Sequence, residues 1–212
     1  MIAAAVPVKA LAGTKSRLAP GQRGAIERLT LAMIGDVLET LLGVPELARV
    51  AVVTPDAAVA RAATAIGAEA LLRDDPGLNP AIEAASAQLA PGPADGILIV
   101  LGDVAAATCA DLTRLIEAAP ERGVVLAPSR DGGTSALLRR PHDVIPARFG
   151  ADSAKRHREA AAHAGVPFQE LALPSLAIDV DVSEDARDIL LLPSVGRRTR
   201  AALAALAADG PS

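Results

Sequence analysis

The sequence predicts an α/β protein in which a mainly parallel sheet is covered by helices on both faces. Short runs rich in Val and Ile alternate with longer stretches rich in Ala and Leu. This rhythm is typical of strand-helix-strand units in a parallel sheet. The length of 212 residues suits a single domain. Apolar residues make up 51% of the chain but aromatic residues only 1%, so the core must consist mainly of Ala, Leu, Val and Ile.

The first elements show the two periodicities most clearly. Ile2–Val8 is a largely apolar run, which predicts a buried strand. Gln22–Gly43 has apolar residues at spacings of three and four, which predicts an amphipathic helix. Those positions are Ile26, Leu29, Met33, Val37 and Leu41. Asp56 is expected to cap the next helix, because Asp is a preferred residue before a first turn.

The remaining elements continue the alternation up to residue 127 and then become less regular. Predicted strands are Val50–Thr54, Ala68–Leu72, Ile97–Leu101, Val124–Ala127, Ser135–Arg139, Phe168–Leu173 and Leu176–Val180. Predicted helices are Ala57–Ile66, Pro80–Ala90, Cys109–Ala119, Ser153–Ala164 and Ser183–Leu192, the last with Ser183 as N-cap. Residues 1–195 are therefore assigned to one domain, and residues 196–212 to a C-terminal tail in which 199–208 is a candidate helix.

Charge and hydropathy exclude several classes of partner. The formal net charge is −4, and acidic and basic residues are mixed along the chain, which argues against a nucleic-acid-binding surface. No uncharged tract of about 18 apolar residues occurs, and the apolar start lacks the basic residues of a secretion signal. The single Cys109 cannot form an intrachain disulfide. These features predict a cytoplasmic protein with no membrane partner.

A glycine-containing basic loop follows the first predicted strand, where ligands gather in open α/β sheets. It contains Lys9, Gly13, Lys15 and Arg17, which suits the binding of a triphosphate through positive charge and close backbone approach. The spacing matches neither a Walker loop nor a Rossmann glycine fingerprint. The alternative is a basic loop that only contacts solvent.

Carboxylates follow two further predicted strands. Asp103 comes directly after the most hydrophobic strand, where it could hold Mg²⁺ between nucleotide phosphates; alternatively, it caps a helix that begins near Ala106. Asp179 and Asp181 alternate along an extended segment and so point to one side. Two such like charges need a cation or a basic group nearby, which predicts two Mg²⁺ ligands or, alternatively, compensation by Arg187 or by solvent.

A fourth candidate segment combines Asp131–Ser135 with Arg148–Ser153. Its glycines and hydroxyls suit an anion, and Ser153 lies at a predicted helix start, where the dipole favours negative charge. The alternative is a turn followed by an N-cap. The three histidines lack the spacing of a metal site, and His157, which lies among basic residues, is expected at the surface.

These motifs together resemble the phospholactate guanylyltransferase family of coenzyme F420 biosynthesis. The resemblance extends from about Ile2 to Leu192 and includes six segments in the family's order. They are Pro7-Val8-Lys9 with Gly13–Leu18, Leu78–Ile82, Gly102-Asp103, Gly133-Thr134, Arg148–His157 and Asp179-Val180-Asp181. More broadly, the chain resembles nucleotidyltransferases that have a single Rossmann-like domain.

The resemblance implies a reaction and a role for each motif. GMP would be transferred from GTP to a phosphorylated carboxylic acid, with release of pyrophosphate. The acceptor would be phosphoenolpyruvate foremost, or 2-phospho-L-lactate or 3-phospho-D-glycerate, and the product could pass directly to the F420 side-chain transferase. The implied Mg²⁺ ligands are Asp103, Asp179 and Asp181. The implied GTP contacts are Lys9, Gly13, Lys15, Arg17, Leu78 and Asn79, and the implied acceptor contacts are Thr134, Gly150 and Ser153. Among these, Lys15, Arg17 and Asp103 would be the catalytic residues.

Two departures bear on the acceptor. The family often has Gly-Asp-Leu-Pro after the central strand, whereas this chain has Val104-Ala105 after Asp103. One extra residue also lies between Thr134 and Gly150 compared with the bacterial pattern. The alternatives to this function are another nucleotidyltransferase of similar fold and a nucleotide-binding domain without catalysis.

Overall fold

The computed structural model describes residues 1–11, 18 and 22–208. The strands are β1 (Ile2–Pro7), β2 (Arg49–Thr54), β3 (Glu69–Leu72), β4 (Gly96–Val100), β5 (Gly123–Pro128), β6 (Thr134–Arg140) and β7 (Phe168–Glu170). The helices are α1 (Arg23–Leu42), α2 (Ala57–Ile66), α3 (Leu78–Leu89), α4 (Cys109–Glu117), α5 (Ser153–His163), α6 (Ser183–Leu191) and α7 (Arg197–Ala208). The predicted α/β class is confirmed, with most element ends within two residues of the prediction.

One mixed sheet has the strand order β3-β2-β1-β4-β6-β5-β7. Adjacent strands in this sheet run parallel, except that β6 runs antiparallel to both β4 and β5. The amino end of β6 therefore lies at the same edge of the sheet as the carboxyl ends of β1 and β4. This reversal brings Thr134, the first residue of β6, to the edge where ligands bind in α/β folds.

The sheet is buried on both faces because alternate residues of its central strands belong to different clusters. In β4, Leu98 and Val100 pack with α1 and α4, whereas Ile97 and Ile99 pack with α3 and α5. This arrangement explains the continuous apolar run in the sequence, since a strand covered on both faces needs no polar side. The small side chains of β1 are fully buried and allow these helices to approach closely.

The predicted strand Leu176–Val180 is wrong. Pro174–Leu176 forms a 3₁₀ turn, and the following residues have no regular structure. Pro174 has no N–H to donate, and the carbonyl of Ala177 accepts from the Arg130 N–H in the loop after β5. The apolar pattern has another cause, because Ile178 and Val180 pack in a separate cluster with α1 and α6.

One of the two predicted helix caps is confirmed. The Asp56 carboxylate accepts from the N–H groups of Ala58 and Val59 at the start of α2. Ser183 is not an N-cap, because it is the first residue of α6 and its hydroxyl donates to the Leu18 carbonyl (3.0 Å). The carboxylate of Asp185 instead accepts from the Asp181 and Val182 N–H groups.

The C-terminal segment forms helix α7, which packs against α1. Asp36 of α1 is almost fully buried and accepts hydrogen bonds from the Arg198 N–H and from the N–H and hydroxyl of Thr199. These bonds satisfy N–H groups at the start of α7 that have no partner within the helix. Across the described ranges, every helix is too short or too polar to cross a membrane.

Candidate active site

A cavity of about 620 Å³ opens at the carboxyl edge of the sheet. This size lies within the usual range for small-molecule sites. It is lined by the segments that follow β1 and β4, by the amino ends of β6 and α5, and by the segment before α6. Predicted site residues that line it are Lys9, Leu78, Asp103, Thr134, Gly150, Ser153, Asp179 and Asp181. Gly13, Lys15 and Arg17 lie outside the described residues.

The acidic side of the cavity is formed by Asp103, Asp131, Asp179 and Asp181. Helix α4 begins at Cys109 and is capped by Thr108, whose hydroxyl accepts from the Asp111 N–H (3.1 Å). Asp103 is therefore not the cap of this helix, and the alternative reading of that residue is wrong.

The carboxylates on this side influence one another. The pKa of Asp179 is raised to about 6 by burial foremost and then by the negative charge of Asp103, with smaller contributions from Asp131 and Asp181. Among the described residues, the charges that act on Asp179 are all negative, so compensation by Arg187 has no support. A bound cation would relieve this repulsion.

Asp131 is a carboxylate of the site that sequence reasoning placed only within an anion-binding loop. Its Oδ1 accepts from the Ser129 hydroxyl and from the Gly133 N–H, and these bonds lower the pKa of Asp131. Asp131 is thereby held as an ion inside the cavity. The Asp-Gly-Gly sequence was a signal for a turn, but nothing in it indicated which way the carboxylate faces.

The cavity is also lined by two hydroxyls, those of Thr134 and Ser153, which lie beside a buried histidine. Ser153 Oγ donates to Thr134 Oγ1 (2.9 Å), and Nδ1 of His157 lies 3.1 Å from the same oxygen. His157 is 0% exposed, so the expectation of a surface histidine is wrong. Its basic neighbours in sequence point elsewhere, because α5 turns only one face toward the sheet.

Ser153 begins α5 but does not cap it. Its hydroxyl bonds to β6 rather than to an N–H of its own helix, so the N-cap alternative is wrong. The Ser153 and Ala154 N–H groups donate to the carbonyls of Gly150 and Gly132. Two of the N–H groups at this helix start therefore already donate to backbone carbonyls and are not available to an anion.

Gly150 lies in the same loop with a φ of 118°, a conformation that favours glycine. A Cβ at this position would also lie 3.0 Å from a guanidinium nitrogen of Arg156. The glycine therefore allows both the turn and the close approach of the Arg156 side chain.

Two polar contacts hold the loop that carries Phe149 and Gly150. The side-chain amide of Asn79 donates to the Phe149 carbonyl (3.1 Å) and accepts from the Phe149 N–H (2.8 Å). The buried Arg139 donates to Glu83 and to the Ile145 carbonyl, and Glu83 accepts from the Ala147 N–H. Asn79 thus supports the loop from α3, and its predicted contact with GTP stays a prediction.

Comparison with known proteins identifies the family of this chain. A sequence model of the family described as "Guanylyl transferase CofC like" matches residues 2–209. The phosphoenolpyruvate guanylyltransferase of Sphaerobacter thermophilus is 38% identical over 191 residues, which cover 88% of this chain and 91% of that protein. The protein of the same name from Streptomyces coelicolor is 38% identical over 210 residues, with 97% of each chain covered.

Solved structures show the same fold at low sequence identity. A Desulfovibrio desulfuricans protein described as a nucleotide-diphospho-sugar transferase superposes with a TM-score of 0.77 at 18% identity, covering 98% of this chain and 95% of its own. A nucleotidyl transferase from Methanothermobacter gives a TM-score of 0.61 at 21% identity, covering 89% and 95%. From the family match and these relatives, the chain belongs to the CofC-like guanylyl transferase family.

Proposed function

We propose that this protein transfers GMP from GTP to the phosphate of phosphoenolpyruvate and releases pyrophosphate. The observation that carries the proposal is that one cavity is lined both by a group of carboxylates and by a pair of hydroxyls. The first suits a metal-bound triphosphate, and the second suits a small phosphorylated acid. Two relatives at 38% identity bear the name of this activity.

Magnesium fits the group of carboxylates. Within the described ranges, no group of three or more His, Cys, Asp or Glu side chains could hold a metal ion by itself. Mg²⁺, however, is usually bound through one or two carboxylates together with substrate phosphates and water. We assign Asp103 and Asp179 as its ligands, with Asp181 beside them. The raised pKa of Asp179 marks crowded negative charge that a cation would relieve. When bound, Mg²⁺ would neutralise charge on the nucleotide phosphates.

The protein's own task is to bring two anions together. A phosphate monoester is largely ionised near neutral pH, so its oxygen can attack the α-phosphorus of GTP without a strong general base. Thr134, Ser153 and Gly150 would hold the acceptor, and Lys9 with Lys15 and Arg17 of the basic loop would bind the triphosphate. Rate enhancement would come from positioning and from stabilisation of the developing charge.

The assay that tests this function measures pyrophosphate release from GTP and Mg²⁺. Phosphoenolpyruvate, 2-phospho-L-lactate and 3-phospho-D-glycerate are supplied in parallel, and the guanylylated product is identified by mass. Phosphoenolpyruvate is expected to give the highest kcat/KM. If none of the three acceptors supported pyrophosphate release, the proposal would be overturned in favour of a non-catalytic nucleotide-binding domain. Transfer onto phosphoenolpyruvate would also place the protein in F420 biosynthesis, with hand-over of the product to the side-chain transferase as the next step to test.

GTP is expected to be preferred over ATP. An enzyme rejects the wrong base when its own polar groups are left without partners, and such discrimination can exceed a hundredfold. Competition between equal concentrations of the two nucleotides, with both products quantified, measures the ratio directly. Equal incorporation of AMP and GMP would contradict the assignment.

Ser153→Ala is expected to raise the KM for phosphoenolpyruvate about tenfold, the effect of losing one hydrogen bond to an anion-binding group. The KM for GTP should change little, because Ser153 belongs to the pair of hydroxyls proposed to hold the acceptor. Steady-state kinetics with each substrate varied in turn, together with a melting curve, measure both effects. Ser183→Ala is the matched control, since the partner of that hydroxyl among the described residues is the Leu18 carbonyl, which does not line the cavity. A lower melting temperature with an unchanged acceptor KM would leave Ser153 with a structural role alone.

A further inference from the structure

We infer that His157 is a positioning residue that orients the hydroxyl proton of Thr134 toward the acceptor's anionic group. The identity of that acceptor rests on the function proposed above. His157 itself is 0% exposed and does not line the cavity. Its influence on the substrate must therefore pass through Thr134, which does line it.

The hydrogen bonds of His157 determine its tautomer. The backbone N–H of Arg148 donates to Nε2 (2.9 Å), so Nε2 carries no proton. A neutral imidazole with an accepting Nε2 must carry its proton on Nδ1. Nδ1–H therefore faces Thr134 Oγ1 at 3.1 Å, and the Ser153 backbone also hydrogen-bonds with the ring. The tautomer is set by the main chain of the loop that carries Phe149 and Gly150.

The hydroxyl proton of Thr134 is then the part of this group that remains for a ligand. A hydroxyl oxygen has two acceptor lone pairs and one proton. Both lone pairs are used, because Oγ1 accepts from His157 Nδ1–H and from Ser153 Oγ–H (2.9 Å). The proton of Thr134 is directed away from both donors, and the cavity is the space that this side chain lines. An anion held there would meet a donor that is already oriented, without the entropic cost of fixing a rotor.

The charge state of His157 keeps this arrangement constant near neutral pH. Burial lowers the pKa of His157 to about 4, and the positive charges of Arg139 and Arg156 contribute to the shift. A protonated ring would donate from both nitrogens and would repel the Arg148 N–H. The neutral form therefore persists across the working range of pH, and Thr134 remains a donor.

Packing alone does not require a histidine here. The ring makes an edge-on contact with Phe149, with centroids 5.1 Å apart, which any aromatic side chain could supply. The two nitrogens contribute what Phe cannot, one acceptor toward the loop and one donor toward β6. Substitutions that keep one of these two hydrogen bonds and remove the other can therefore measure their effects separately.

The test compares His157→Asn with His157→Gln. The amide nitrogen of Asn can take the place of Nδ1 and donate to Thr134, whereas the amide of Gln reaches the place of Nε2 and keeps only the bond to Arg148. We expect His157→Gln to raise the KM for phosphoenolpyruvate about tenfold, the cost of an undirected hydrogen bond to a charged group. His157→Asn should stay within about threefold of wild type. The KM for GTP should be unchanged in both. His163→Gln, at the exposed end of α5, is the matched control.

A double variant separates orientation from general damage. In a Thr134→Val background, His157→Gln should raise the acceptor KM no further, because the hydroxyl it orients is gone. The inference is overturned if His157→Asn is as impaired as His157→Gln. It is also overturned if both KM values rise together, or if the two substitutions multiply in the double variant.

The tautomer can be read in the wild-type protein, whatever the stability of the variants. Imidazole ¹⁵N shifts distinguish the two nitrogens, and His142→Gln and His163→Gln assign the third histidine by elimination. A protonated Nδ1 and a bare Nε2 at pH 7 support the inference, and a protonated Nε2 overturns it. This measurement needs no turnover. If the wild type transferred GMP to no acceptor, the proposed function would fail, while the spectrum would still decide whether His157 directs Thr134.

Discussion

Asp103→Asn and Asp179→Asn are each expected to lower the rate of GMP transfer by about 10²–10³, the scale seen when one group that stabilises transition-state charge is removed. Each substitution replaces a charged oxygen that we propose as a ligand of Mg²⁺ by a neutral amide of the same shape. Packing should be preserved, because both residues line the cavity and are only partly buried. Single-turnover rates at saturating Mg²⁺, with circular dichroism as the check on folding, measure the effect.

The same substitution at Asp179 is expected to stabilise the metal-free protein. The pKa of this carboxyl is raised from 3.8 to about 6 in the folded state, mainly by burial and by Asp103. The folded protein then holds this proton more tightly than the unfolded chain, so stability falls as pH rises from 3.8 to about 6. Above that window the ionised Asp179 opposes folding, and Asn removes the charge.

We expect a gain of about 1 kcal/mol at pH 7.5, since solvent screens a partly exposed group, which corresponds to roughly 2–4 °C in Tm. The gain should vanish below about pH 3, where the wild-type carboxyl is protonated in both the folded and the unfolded state. Added Mg²⁺ should raise the Tm of the wild type but not of the variant. Near wild-type turnover in both the Asp103 and Asp179 variants would remove the metal-site assignment. A lower Tm of Asp179→Asn at pH 7.5 would show that the carboxylate is compensated in the folded protein.

Arg139→Leu is expected to cost about 3–5 kcal/mol of stability, because it removes one partner of a buried polar network. Arg139 is 0% exposed and donates to Glu83, to Ser86 and to the Ile145 carbonyl. Its loss would leave the buried Ser86 hydroxyl and the Ile145 carbonyl without this donor, and would leave the partly exposed Glu83 without its ion pair. A fall of about 10 °C in Tm is expected for a chain of this size.

Kinetics on Arg139→Leu should show a second effect. The Arg139–Glu83 pair holds the Ile145–Ala147 segment, which leads directly to Phe149 and Gly150. Loosening that segment should weaken the acceptor site more than the nucleotide site. Arg23→Ala is the matched control, since its ion pair with Glu27 is exposed and such pairs contribute about 0.5 kcal/mol or less. Similar Tm values for the two variants would contradict the role assigned to Arg139.

Local sequence patterns predicted the elements whose stability comes from their own residues and from burial on a sheet. The continuous apolar runs of β1 and β4 and the spacing of apolar residues in α1 predicted those elements correctly, because each pattern directly reflects which faces are covered. The prediction failed at Leu176–Val180, where the apolar residues pack into a cluster without pairing in the sheet. An alternation of apolar residues does not by itself distinguish a strand paired in a sheet from an unpaired segment that packs in a cluster.

Local residue patterns were sufficient to identify the chemical groups of the candidate site. These are a carboxylate after the central strand β4, basic residues and a glycine after β1, and hydroxyls at the starts of β6 and α5. The tertiary structure decided how these groups are paired and which way they face. The antiparallel direction of β6 placed Thr134 beside Ser153, and His157, expected at the surface, is instead a buried ring whose pKa is lowered by that burial. The physical reason is that protonation and hydrogen-bond direction depend on desolvation and on partners distant in sequence, such as Arg148 and Arg139, which no local pattern contains.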